Sequence, residues 1–154
     1  MSAASQNRDG ERQPGEIVAY SGGSGYHYYK ETLIMKQGIS LNTITPLAVT
    51  GASGGYFLGV AANEVNLSAG LGSSQAVLNI WKRGIFTFAA NGTGETCHIG
   101  QQAWGLDDQT VGISCANATL CVGEIVGIPT SSTYRVRIDN AIGIIGQSRM
   151  LNPI

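Results

Sequence analysis

The sequence predicts an all-β protein, and three observations carry that reading. Of 154 residues, 22 are glycine and only 12% are charged, about half the ~25% usual in globular chains. Low charge with much Gly, Ser, Thr and Asn suits short strands and tight turns better than helices. The stretch 76–111 holds both tryptophans and two of the three phenylalanines, in runs of β-branched and aromatic residues that pack on a pleated surface. Tyr134-Arg135-Val136-Arg137-Ile138 alternates with a clean period of two, which puts three apolar residues on one face and two arginines on the other.

The length suits one compact domain with a tail or two. Net charge is −1. The basic residues are scattered, with close pairs only at Lys82-Arg83 and Arg135/Arg137, which argues against a nucleic-acid footprint. A surface this neutral is weakly protected against association, so neighbours are expected to cover much of it. No apolar run approaches the ~20 residues of a membrane span. Cys97, Cys115 and Cys121 cannot all pair within one chain, and the first sixteen residues are polar, without a secretory apolar core. Synthesis in a reducing cytoplasm is expected, which makes the sequons at Asn66, Asn91 and Asn117 chance matches.

Three regions are expected. Residues 1–30 read as a flexible N-terminal arm and tyrosine-rich linker: the first sixteen lack apolar periodicity, Ile17-Val18-Ala19-Tyr20 is a short apolar segment, and Ser21-Gly22-Gly23-Ser24-Gly25 is a flexible link. Residues 31–139 form the core domain. Residues 140–154 are an apolar docking tail, because Ile142, Ile144, Ile145, Met150, Leu151 and Ile154 each gain up to ~1.5–3 kcal/mol on burial.

Within the core, residues 33–35 and 47–50 read as strands, with Pro46 placing the second at an edge or a strand end. Residues 56–61 form a strand in which Gly59 marks a bulge or a close backbone approach, and residues 64–67 extend it or start another. Residues 75–81 read as a long strand. A helical period also fits Val77, Ile80, Trp81, Gly84 and Phe88, but Gly84 mid-helix costs about 1 kcal/mol and the composition favours a strand. A tight reversal is expected at Lys82-Arg83-Gly84, with residues 85–89 returning, Phe86 and Phe88 on one face. Residues 97–101 suggest one helical turn. Residues 102–106 and 110–114 flank Asp107-Asp108-Gln109 as a hairpin, and residues 122–128 and 133–138 flank Pro129-Thr130-Ser131-Ser132 as another.

The chemical motifs are thin. Gly51-Ala52-Ser53-Gly54-Gly55 matches G-x-S-x-G, but a nucleophile elbow needs a helix after it and residues 56–61 read as a strand; a Ser53-dependent hydrolase is the weakest reading. Cys97, His98, Cys115 and Cys121 offer metal ligands without the paired spacing of a structural zinc site, so buried apolar cysteines are expected instead. Asp107-Asp108 suits a turn better than the spaced carboxylate pair of a glycosidase. No phosphate-cradling loop is present. Tyr26, Tyr28 and Tyr29, clustered around His27, suit a protein interface better than the chain's own core, and either better than base or sugar stacking, since no basic groove accompanies them. No catalytic, cofactor or metal site is expected.

The order of segments completes the reading. Tyr56-Phe57-Leu58-Gly59-Val60-Ala61, residues 77–81, Gly84-Ile85-Phe86-Thr87-Phe88, Ile99-Gly100-Gln101, Trp104 through Asp107-Asp108-Gln109-Thr110-Val111, Val122-Gly123 and Arg135-Val136-Arg137-Ile138 follow in sequence. Over residues 45–139 this resembles the small phage capsid cement, or head decoration, proteins, a family sometimes labelled a phage recombinase. The resemblance implies a small β-barrel or β-tulip core, a homotrimer, and docking on the major capsid protein outside the expanded head, hence a virion location. Contacts are then expected from Ile17, Val18, Tyr20, Tyr26, Tyr28, Tyr29, Ile142, Ile144, Ile145 and Leu151. A head-fibre base or tail-associated carbohydrate-binding module is the alternative.

Overall fold

The computed structural model describes residues 16–37, 43–48, 55–69, 77–114 and 120–139. Among them, every regular element but one 3-10 turn is a strand, and the fold is all-β with a closed barrel.

Seven strands precede the barrel: β1 (Ile17–Ser21), β2 (His27–Tyr28), β3 (Leu33–Gln37), β4 (Thr43–Pro46), β5 (Tyr56–Ala61), β6 (Val65–Asn66) and β7 (Val77–Trp81). Five of them form an open sheet in the order β1-β7-β5-β3-β4, and β2 pairs with β6 as a small ribbon. The barrel follows: β8 (Arg83–Ala90), β9 (Gln102–Gly105), β10 (Thr110–Gly112), β11 (Leu120–Thr130) and β12 (Thr133–Asp139), closed in the order β10-β8-β12-β11-β9. The β8–β10 pairing is parallel; the other barrel pairings are antiparallel.

Period-two alternation explains the two cores. On one face of the open sheet Leu33, Met35, Phe57 and Val60 join Phe86, Phe88, Val111, Ile125, Tyr134, Val136 and Ile138 in one buried cluster. That cluster fuses sheet and barrel. On the other face Ile34, Ala61, Leu78 and Ile80 pack with Tyr28 and Leu67 from the ribbon. A backbone bond from Leu33 N–H to Asp108 C=O, 2.7 Å, ties the barrel's Asp-Asp turn to the sheet.

Gly59 does what its place in a strand suggested. Its φ is 143°, in the region that disfavours L side chains. The β3–β5 register shifts opposite it, the mark of a bulge. A Cβ there would lie 2.2 Å from the Trp81 carbonyl oxygen, so only glycine lets β5 and β7 approach. Both predicted hairpins form, with β9 against β10 and β11 against β12.

Several expectations are corrected. The domain does not begin at residue 31. β1 pairs along its length with β7 and β2 pairs with β6, so residues 17–30 belong to the fold and not to a flexible arm. Their backbone groups need partners, and the sheet supplies them. Residues 82–84 do not reverse the chain into a hairpin. β7 pairs with β1 and β5 while β8 pairs with β12 and β10, so a bend at Lys82 carries the chain from open sheet to barrel. Of the strand expected at 47–50, residues 49–50 lie outside the described residues; the described strand here is β4, with Pro46 at its end, and Ala48 adds a single bridge to Asp107. The helical turn sits at Thr96–His98 as a 3-10 helix.

Candidate functional site

The sites expected from sequence separate into surface, core and undescribed positions. β1 is one edge of the open sheet. Because directly paired residues share a face, Ile17, Ala19 and Ser21 lie beside Trp81, Asn79 and Val77. Ile17 is 46% exposed and Val77 55%, so apolar surface remains wet along this margin. Val18 and Tyr20 turn to the other face, where Tyr20 packs against the ribbon-side core. The Lys82 ammonium sits 5.1 Å from the Tyr20 ring centroid, a cation–π distance, while it donates to the Leu58 carbonyl at 2.6 Å.

The two edges of the open sheet are not equivalent. β4 reads TITP and ends in proline, a residue that blocks further pairing. β1 reads IVAYS and carries neither proline nor charge, the usual protections of a strand edge. Beyond Ala61, where the β5–β7 pairing ends, the Asn63 side chain continues the ladder. Its amide donates to Val77 C=O at 3.0 Å and its oxygen accepts from Asn79 N–H at 2.8 Å. β7, and through it β1, is thereby held in register.

Tyr28 is a correction. It is fully buried, its hydroxyl donates to Ile44 C=O at 2.5 Å and accepts from Gly23 N–H at 2.6 Å. Burial pushes the phenol up to about 12, against the opposing pull of the Gly23 hydrogen bond. It is a core post and not a partner contact. Tyr26 and Tyr29 are half-buried. The Tyr29 ring stacks on His27 at 3.9 Å, and His27 Nε2 lies 2.8 Å from Glu64 Oε1. Ile142, Ile144, Ile145 and Leu151, like Ser53, Cys115 and Asn117, lie outside the described residues.

A second cluster was only half legible. Cys97 and His98 do stand among potential metal ligands, but the third member is Glu95: one ligand atom from each residue lies within 4.8 Å of the others. Cys97 is exposed and not a buried hydrophobe, whereas Cys121 is buried. The Cys97 thiol faces Glu95 Oε2 at 3.6 Å. The His98 ring packs edge-on against Tyr134, whose hydroxyl is 2.8 Å from Nδ1. Burial raises the Tyr134 phenol above its ordinary range, and the neighbouring Cys97 and Glu95 add to the shift. The signal available in sequence was Glu-x-Cys-His on a turn too short to separate them.

No helix among the described residues is long and apolar enough to cross a membrane. Comparison with family models and with curated proteins returns no match for this chain.

Proposed function

We propose that this chain is a structural virion protein that binds the outer surface of an expanded phage capsid and braces adjacent major capsid subunits, acting as a homotrimer without catalytic chemistry. The observation that carries the reading is the β1 edge, which among the described residues has no strand, proline or charge guarding it, beside exposed Ile17 and Val77. An edge of this kind accepts an added strand: main-chain hydrogen bonds supply affinity and alternate side chains supply specificity. The closed barrel offers no such edge and serves as a rigid body behind it.

A shell under internal DNA pressure fails when its subunits slide apart. Resisting that needs contacts spanning several subunits and no reaction. Three joined copies engage three places at once, so individually weak contacts combine through effective concentration. The segment order over residues 45–139 that resembles the decoration proteins supports the same role, as does the barrel that this resemblance implies.

The experiment is cosedimentation of the purified chain with expanded heads and with compact precursor heads, alongside mass by light scattering. Binding to expanded heads and a trimeric mass are expected. Ala19→Lys places a charge on the exposed side of β1; as a surface change it is expected to alter stability by no more than about 0.5 kcal/mol while abolishing head binding. Removal of residues 1–15, which spares β1, separates the preceding segment from the edge. No binding by the parent chain, or full binding by Ala19→Lys, overturns the proposal.

A further inference from the structure

We propose that Glu95, Cys97 and His98 form a binding site for a divalent cation of the zinc class, with the Tyr134 phenol as the positioning group for the imidazole. The site is independent of any shell protein, so it stands or falls apart from the capsid reading.

The donor set comes from four consecutive residues. The 3-10 turn Thr96–His98 with its flanking Glu95 winds carboxylate, thiol and imidazole to one place, their ligand atoms within 4.8 Å of one another. Carboxylate oxygen, thiolate sulfur and imidazole nitrogen are the three ligand types that zinc uses. Bond lengths of about 2.0–2.3 Å in a tetrahedron set neighbouring ligand atoms roughly 3.3–3.8 Å apart. The Cys97 sulfur and the Glu95 oxygen already stand 3.6 Å apart. An imidazole nitrogen stands within 4.8 Å of both, and side chains that are half-buried or exposed can turn to close the remaining gap.

Among the described residues no lysine or arginine pairs with Glu95; its carboxylate is held within the turn, accepting from the Cys97 thiol at 3.6 Å and from the His98 backbone N–H. His98 Nδ1 is engaged by the Tyr134 hydroxyl at 2.8 Å and, more distantly, by the Glu95 amide at 3.2 Å, which leaves Nε2 as the ligand nitrogen. With the metal on Nε2 the ring proton sits on Nδ1 and the Tyr134 oxygen accepts it, replacing the longer amide contact. An outer hydrogen bond of this kind fixes the tautomer and orientation of a metal-bound histidine. Binding releases one proton, from the thiol: the S–H bond breaks as the sulfur–metal bond forms, and water fills the fourth position.

The consequence is mechanical. The same segment is tied to the β11–β12 hairpin by Gly94 N–H to Ser131 C=O, 2.7 Å, and by Gly100 N–H to Ile125 C=O, 2.8 Å. A cation inside the turn stiffens residues 95–98, which those bonds and the His98–Tyr134 contact join to the barrel strands.

The test titrates the full reduced chain with Co²⁺ as the probe and reads the near-ultraviolet thiolate-to-cobalt band. One equivalent is expected to saturate the band, and Zn²⁺ to bleach it by displacement. Cys97→Ser abolishes the band, while Cys115→Ser and Cys121→Ser retain it. Glu95→Gln and His98→Ala each weaken binding at least tenfold. Tyr134→Phe keeps the ligands and weakens binding roughly 10–100-fold; unchanged affinity removes its positioning role. Zn²⁺ raises the thermal midpoint of the parent chain and not that of Cys97→Ser, whose far-ultraviolet spectrum reports that it folds. A band that survives Cys97→Ser, or affinity untouched by Glu95→Gln and His98→Ala, overturns the site.

Discussion

Gly59→Ala measures how much the junction of β5 and β7 is worth. Two costs arise at once. The backbone at φ 143° is strained for any residue with a Cβ, at about 1–3 kcal/mol. The new methyl also meets the Trp81 carbonyl oxygen at 2.2 Å and Ile80 Cγ2 at 2.7 Å. An ordinary carbon–oxygen approach is about 3.3–3.6 Å, so β5 and β7 must part by roughly 1 Å. Forced overpacking of that kind adds about 1–3 kcal/mol. The sum, on the order of 2–6 kcal/mol, is a large part of the ~5–15 kcal/mol that holds an ordinary domain together.

Gly92→Ala is the internal reference. Gly92 also has positive φ, 96°, but nothing stands within 4 Å of its added Cβ. It isolates the backbone cost from the collision. Urea unfolding followed by tryptophan fluorescence is well placed, because Trp81 lies at the collision itself. Gly59→Ala is expected to lose at least about 1 kcal/mol more than Gly92→Ala. Equal losses refute the close-approach argument and leave only glycine's backbone freedom. Since β1 hangs on β7, Gly59→Ala is also expected to expose the β1 amides to hydrogen exchange before the barrel amides.

Two further predictions concern the same half of the molecule. Tyr28→Phe leaves the Ile44 carbonyl and Gly23 amide without their partner and is expected to cost roughly 1–3 kcal/mol in urea unfolding. The folded phenol titrates at about 12 against an ordinary 10.0; between those pH values the unfolded chain has lost a proton that the folded chain keeps, so stability falls as pH rises across the window. Unfolding measured from pH 9 to 12 should therefore be less steep in Tyr28→Phe than in the parent chain, and identical slopes would contradict the buried hydroxyl. Asn63→Ala removes both side-chain bonds that extend the β5–β7 ladder and is expected to cost about 1–2 kcal/mol, with loss of hydrogen-exchange protection at the Asn79 amide as the local readout.

Strand identity was legible wherever side chains alternate against one core. The β12 alternation, the shared face of Phe86 and Phe88, and the two hairpins needed only local pattern and turn chemistry. What local pattern does not carry is which sheet a strand joins. Lys82-Arg83-Gly84 has the composition of a reversal, yet β7 and β8 go to different sheets because their partners, β1 and β12, lie far off in sequence. The same limit hid the place of β1 and Tyr28. A segment flanked by Ser-Gly-Gly-Ser-Gly looks detachable until its apolar face is seen against Leu78 and Ile80. Tyr28 looked like surface because three tyrosines crowd together, but only one of them reaches the Ile44 carbonyl. Glu95 went unremarked because carboxylates on turns are ordinary, and only coordinates place its oxygen beside the Cys97 sulfur.

In the proposed role of a brace, the two halves of the fold have separate tasks. A closed barrel satisfies its own backbone groups and has no edge to offer. An open sheet keeps two edges, and each needs either protection or a partner. In this chain the β4 margin ends at Pro46 and is backed by the Ala48–Asp107 bridge to the barrel turn. Among the described residues the β1 margin has neither device, and the apolar residues flanking it, Ile17 and Val77, are exposed. An exposed apolar edge without a charged residue is an aggregation hazard unless something pairs with it. In the proposed role, a shell protein that supplies a strand removes the hazard and gains a rigid barrel anchored at its surface. On the proposed reading, the asymmetry between the two margins sets the direction from which a partner arrives, and it is why a single charge at Ala19 is the sharpest test of that proposal.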